Sequence, residues 1–230
     1  GIRYTPSGTP LVGYHLTTAA ERREETIEAD FAVFAGGVNQ LPGMDVESDQ
    51  LFQAFQQVIP GFRPPKVRKA IICELQAEQE QLQHLKSEVH FAQYGSTDLP
   101  IEMSSLIPKG RWITVVLLGK SVDRADPSQH LQVVARFLEL PHIKRILPRK
   151  AKLTPVCLCH PNMTVGVARH GYGHRMALIG DMVVSRLYKD GIFSAYVTAS
   201  ALADCILEKG VDRVSLKTRY WPAVKRFHLD

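Results

Sequence analysis

The stretch RMALIGDMVVSRLYKDGIFSAY, residues 175–196, decides how the chain is read. An apolar run ends at Gly180-Asp181, and a second turn at Lys189-Asp190-Gly191 opens a segment rich in small residues. A short apolar run closed by glycine has the character of a buried strand ending in a tight turn. The segment after the second turn, IFSAYVTASALADCIL, favours helix. The pattern predicts a buried strand over 175–179 and a helix over 192–207. Two aspartates, Asp181 and Asp190, sit at the turns between them.

That order gives the aspartates a chemical meaning. In α/β proteins ligands gather at the carboxyl ends of strands. Asp181 at such an end can accept hydrogen bonds from sugar-type hydroxyls, and Gly180 lets the backbone approach closely. Asp190, Gly191 and Ile192 form a helix start, whose free N–H groups suit a carbonyl oxygen or an anionic ring edge. Ala195, Ala199 and Ala203 make a small-residue stripe that lets the helix lie close to a sheet or a bound group. The plain alternative is two aspartates acting as helix caps, with alanines present for propensity. At the level of residues both readings stand.

Working outward, residues 1–18 read as a hairpin with TPSG as its turn. A charged segment then reaches the apolar burst Phe31–Ala35, a buried strand closed by Gly36-Gly37. Ser48 or Asp49 caps a helix whose apolar face is Leu51, Phe52, Phe55, Val58 and Ile59, stopped by Pro60-Gly61. Residues 71–77 alternate, with Ile71, Cys73, Leu75 and Ala77 on one side. This reads as a strand, against a competing single helix over 67–90. Further strands are expected at 89–94 and 112–118, and paired strands at 153–159 and 164–168. A helix is expected at 131–138.

Composition narrows the classes. Hydrophobic residues are 45% and charged residues 22% of 230, an ordinary globular balance. The net charge of +5 is interspersed. The densest basic patches, Arg63 to Lys69 and His142 to Lys152, lack the aromatic interleaving of a single-strand binder, so nucleic acid is not an expected partner. No run of 18 apolar residues exists, so no membrane-crossing helix is expected. Cys73, Cys157, Cys159 and Cys205 are too few and too irregular for a disulfide scaffold, which fits a reducing, cytoplasmic compartment. Cys157, Cys159 and His160 invite a metal reading, but no second pair lies nearby. They are read as ordinary buried cysteines, both on one face of a strand with His160 opposite. The turn RHGYGHR, residues 169–175, is read as solvated, with Arg169 and Arg175 as alternative anion contacts.

On these residues the chain resembles FAD-dependent oxidoreductases of the para-hydroxybenzoate hydroxylase and geranylgeranyl reductase type. LIGDMVVSRLYKDGI is similar to that family's second flavin-contacting segment: an apolar strand, Gly-Asp, a loop and a glycine-containing helix start. The resemblance implies that Asp181 meets the ribityl or pyrophosphate region of FAD. It also implies that Asp190, Gly191 and Ile192 lie beneath the pyrimidine edge of the flavin. Met182 and Val183 stand where the family has Ala-Ala, and Lys189 where it has glycine. IEADFAVFAGGVN, residues 27–39, resembles the family segment near the adenosine side, with Gly36 in place of an Asp. SSLIPKGRWITVVLLG, residues 104–119, resembles the sheet of the substrate lobe. The family's Gly-x-Gly-x-x-Gly turn does not occur, which implies a fragment of a longer flavoprotein.

The resemblance implies an α/β fold with α+β character in the middle: a partial FAD-binding lobe and a substrate lobe with a mostly antiparallel sheet. The expected division is 1–60 and 169–230 for the FAD-binding lobe, including a C-terminal helix, and 61–168 for the substrate lobe. The implied activity is oxidoreduction, by reduction or hydroxylation, of a small apolar or aromatic substrate, with NAD(P)H as a candidate electron donor. A membrane-bound lipid substrate stays open. The alternative is a non-catalytic flavoprotein-like domain that binds ligands or proteins. FAD binding by the 230 residues alone is expected to be weak or absent.

Overall fold

A computed structural model describes all residues except 18–20, 40–48, 78–84, 86–87, 93–96, 148–153, 187–189 and 230. Ser48, Tyr94, Lys189 and Leu153, and residues 148–152 of the second basic patch, lie outside the described residues. In chain order the strands are β1 (Ile2–Tyr4), β2 (Pro10–Thr17), β3 (Arg22–Glu28), β4 (Ala32–Phe34), β5 (Val67–Gln76), β6 (His90–Ala92), β7 (Met103–Lys109), β8 (Trp112–Leu118), β9 (Thr154–Cys159), β10 (Asn162–Thr164), β11 (Tyr172–Gly173) and β12 (Met176–Leu178). The helices are α1 (Gln50–Val58), α2 (Lys120–Arg124), α3 (His130–Leu138), α4 (Pro141–Ile146), α5 (Gly191–Glu208), α6 (Arg213–Ser215) and α7 (Trp221–Leu229). The architecture is α/β with open sheets, and the chain forms two compact units: Gly1–Val67 with Met163–Asp230, and Arg68–Asn162.

The first unit is assembled from both ends of the sequence. Its amino-terminal hairpin forms as expected: Tyr4 pairs with Pro10 across the turn, where the Gly8 N–H donates to the Thr5 carbonyl at 2.9 Å. The charged segment that follows contains β3, paired to β2 along Arg22–Glu28. Its side chains are mostly exposed, so it carries no apolar alternation from which to read a strand. The second sheet has the order β11-β12-β4, with β12 parallel to β4 and Met176, Ala177 and Leu178 opposite Ala32, Val33 and Phe34. This pair fixes the site, because parallel strands end on the same edge.

Helix α1 begins at Asp49, whose carboxylate accepts from the N–H groups of Leu51 at 2.8 Å and Phe52 at 3.3 Å. Such a cap contributes about 1 kcal/mol. The helix buries Phe52 and Phe55. Phe55 meets Phe62 edge-on with ring centroids 5.0 Å apart, and Phe34 at 5.9 Å. Aromatic pairs of this geometry add about 0.5–1.5 kcal/mol beyond the area they bury.

The second unit is an antiparallel sheet in the order β6-β7-β8-β5, with β9 also on β5. Ile71, Cys73, Leu75 and Ala77 are buried, as the alternation predicts, and pack with Ile113, Val115 and Leu117 of β8. Val133, Val134 and Phe137 of α3 and Ile143 of α4 cover that face. Of the pair expected at 153–159 and 164–168, the first is β9, whereas residues 165–168 form no strand and only Thr164 belongs to β10. β9 and β10 instead follow one another along the same edge of β5: Cys159 lies opposite Ile72, and the Ala70 N–H donates to the Pro161 carbonyl. The ten residues of β5 make that edge long enough for both.

Candidate functional site

The predicted strand and helix of residues 175–196 are both present, as β12 and α5. Between them Gly180–Met182 makes one turn of 3-10 helix. Gly180 adopts φ +62°, the left-handed region that glycine enters without a Cβ clash. Its N–H donates to the buried hydroxyl of Thr198 at 2.8 Å, and that hydroxyl donates to the Ser194 carbonyl at 2.7 Å. The strand end is thereby tied to the side of α5. The neighbouring strand end joins it: the Gly36 N–H donates to Met182 Sδ at 3.2 Å, and the Ile179 N–H to the Phe34 carbonyl at 3.0 Å.

Asp181 lies at this shared edge, half-buried, with its carboxylate against the first residue of α5. A Cβ on Gly191 would sit 3.0 Å from Asp181 Oδ2 and 3.2 Å from Oδ1, so a larger residue there would press the carboxylate aside by a few tenths of an ångström. The Ser194 hydroxyl lies 3.4 Å from Asp181 Oδ1. The Asp181 backbone carbonyl accepts from Thr164 Oγ1 at 2.8 Å. Burial pushes the Asp181 carboxyl above the usual carboxylate range, and hydrogen bonds from Ser194 and Ser185 oppose that rise. The result is a partly desolvated hydrogen-bond acceptor beside a helix N-terminus, suited to hydroxyl donors.

Asp190 and Ile192 have different surroundings. Asp190 is the residue before α5, but its side chain makes no capping bond. Its Oδ2 accepts from Arg186 Nε at 2.7 Å, and the Arg186 guanidinium lies 4.4 Å from the Phe227 ring centroid. The carboxylate is thus anchored sideways. The side chain of Ile192 is 90% exposed. Phe193 and Tyr196 beside it are exposed too, so the start of α5 presents an apolar surface.

Of the alanine stripe, Ala195 lies against the end of β12, where a Cβ on Gly180 would sit 3.4 Å from its own Cβ. The buried side of α5 is Ser194, Thr198, Leu202 and Cys205, whereas Ala195 and Ala203 are exposed. The i, i+4 spacing of Ser194 and Thr198 was the available signal: small hydroxyl side chains can satisfy backbone groups at a close helix–strand contact. Helix α5 has the length and composition of a membrane-crossing helix, a criterion that core helices also meet. Elsewhere, the RHGYGHR turn holds His170 and Arg175 at positive φ.

The cysteines correct another expectation. All four are free, but only Cys73 and Cys205 are buried, while Cys157 and Cys159 are exposed on one face of β9. The helices cover the opposite face of the sheet, so a strand of mostly exposed residues leaves its thiols outside.

No protein-family model matches the sequence, and no curated protein matches it. Among solved structures the fold recurs in the flavin-dependent halogenase CmlS, with TM-score 0.61 and 15% identity over 98% of this chain. It recurs in a flavoprotein/dehydrogenase from Cytophaga hutchinsonii, with TM-score 0.63 and 11% identity over 97% of this chain. A third is aklavinone-11 hydroxylase, solved with FAD and aklavinone, with TM-score 0.56 and 14% identity over 90% of this chain. The chain spans 39%, 51% and 36% of those three chains. Its fold is therefore that of a part of flavin-dependent oxidoreductases.

Proposed function

We propose that this chain supplies the ring-side cofactor contacts and the substrate lobe of a FAD-dependent oxidoreductase acting on a small apolar or aromatic molecule. The observation that carries the reading is Asp181 at the common end of two parallel strands, its carboxylate held against Gly191 at the start of an 18-residue helix. The flavin, when bound, supplies the electron transfer. In this reading Asp181 accepts hydrogen bonds from ribityl hydroxyls, Gly180 and Gly191 let the group come close, and the α5 N-terminus faces the ring edge. Ile192 covers the ring edge with apolar surface. Asp190 contributes by fixing the Arg186 side chain. The flavin is reduced by a nicotinamide in the cytoplasm, and the activity is reduction or hydroxylation.

The similarity of fold to structures holding flavin supports this, as does the order of the segments along the chain. The test is a visible absorption spectrum of the full gene product, with and without added FAD, followed by anaerobic NAD(P)H. A flavin band that bleaches with the donor, and is weakened by Asp181→Ala, is the expected result. A full-length protein that takes up no FAD overturns the reading. The 230 residues alone are expected to hold FAD weakly, because no glycine-rich phosphate turn occurs among them. The engagement of Asp190 by Arg186 favours a second reading, a non-catalytic flavoprotein-like domain. FAD uptake without bleaching by any donor would select it.

A further inference from the structure

Strand β9 presents two thiols to solvent. The sulfurs of Cys157 and Cys159 lie 3.7 Å apart. Their register partners on β5 are Glu74 and Ile72, so Glu74 brings a carboxylate to the same sheet face. The pairing register shifts between Glu74 and Leu75, leaving a bulge next to Cys157. His160 is not part of this group: its Nδ1 lies 2.5 Å from Nδ1 of the buried His130.

The sulfur separation selects among the chemistries open to a thiol pair. A tetrahedral ion with metal–sulfur bonds of about 2.3 Å places two thiolates about 3.8 Å apart. The observed separation meets that with no backbone movement. A disulfide is a poorer fit. Alternate residues on a strand are separated by roughly 6.7 Å at Cα, near the upper limit of about 6.8 Å for the bridge.

We propose that Cys157 and Cys159 form a two-thiolate chelate for a soft, thiophilic cation of the zinc and cadmium class. Binding breaks two S–H bonds, forms two metal–sulfur bonds and releases two protons, with no change of oxidation state. On the same face Glu74 Oε1 accepts from Thr114 Oγ1 at 2.7 Å and pairs with Lys109 Nζ at 3.4 Å, which offsets its charge. Among the described residues no group of three such ligands exists. In the proposal, water or small ligands complete the coordination of the ion. Because binding displaces two thiol protons, affinity rises with pH.

The test uses Cd2+ as probe on the reduced chain, read by the sulfur-to-cadmium charge-transfer band in the ultraviolet. One ion per chain is expected, and a thiol reagent that labels both exposed cysteines should be blocked by the ion. Cys157→Ser and Cys159→Ser should each weaken binding at least about tenfold, because the second thiolate binds at the high effective concentration of a chelate. Both positions are exposed, so circular dichroism should show the parent fold in each variant. Single variants that bind Cd2+ as tightly as the parent overturn the proposal. So does a parent with no charge-transfer band.

Discussion

The hydroxyl of Thr198 and the backbone of Gly180 are joined by a buried 2.8 Å hydrogen bond that ties α5 to the end of β12. Replacing Thr198 by valine keeps the shape and removes the acceptor, leaving the Gly180 N–H unpaired. A buried donor without a partner costs about 1–3 kcal/mol. Thr198→Val should lower the urea midpoint accordingly, whereas Thr198→Ser should retain most of the stability. Equal midpoints for valine and serine would remove the hydrogen bond from this account.

Tyr220 makes a comparable contact from another direction. Its hydroxyl is fully buried and donates to the Leu178 carbonyl at 2.5 Å, and burial drives its pKa far above the ordinary phenol value. It remains a neutral donor at all working pH values. Tyr220→Phe should destabilise by about 1–3 kcal/mol, since the Leu178 carbonyl loses this donor. Chemical denaturation measures this, with an unchanged slope m as the sign that the fold is kept.

Asp181 has the opposite thermodynamic sign. Its folded pKa is raised by burial, so the folded state binds the proton more readily than the unfolded chain. Stability therefore falls as pH rises from the ordinary aspartate value of about 3.9 through the folded value. Asp181→Asn removes that loss. The variant should melt above the parent at pH about 7, and the two should converge at pH about 3. The proposed reading adds that the same variant holds FAD less well in the full gene product. A gain in stability with no loss of FAD would leave Asp181 structural.

Arg68 organises the second unit through hydrogen bonds to Glu102 at 2.5 and 3.1 Å and to Asp123 at 2.5 and 3.0 Å. The Arg68 hydrogen bonds hold the Glu102 carboxyl below its ordinary value. Its stabilisation is thus present above the unfolded glutamate value of about 4.3 and is lost as pH falls through the lower folded value. The Glu102 side chain is 37% exposed, so solvent screening limits the effect to about 1 kcal/mol or less. Glu102→Gln should melt slightly below the parent at neutral pH and together with it in acid. A difference that persists in acid would point to packing instead.

Local periodicity made the α/β character readable. Ile71, Cys73 and Leu75 alternate because one side of β5 meets a core, and Asp49 stands before an apolar helical face. β3 escaped because a strand exposed along its length has no buried face to record. The edge shared by β9 and β10 depends on the length of a distant partner, which local pattern does not carry. At the candidate site, Gly180, Asp181 and Gly191 are marked by turn chemistry. Thr198 was hidden among alanines, because its importance comes from the one backbone N–H that the tertiary fold delivers to it. The exposed Cys157 and Cys159 show the same limit: alternation tells which side chains share a face, not which face the helices cover.

The first unit is closed by pairing Ala32 with Met176, residues on opposite sides of the inserted second unit. During synthesis the residues Arg68–Asn162 emerge as a complete set and can fold while the carboxyl-terminal part is still being made. Phe34, Phe52 and Phe55 must wait for β12 and α5 to complete their surroundings. Slowed translation between Asn162 and Glu208 would prolong the exposure of these phenylalanines without altering a single native contact.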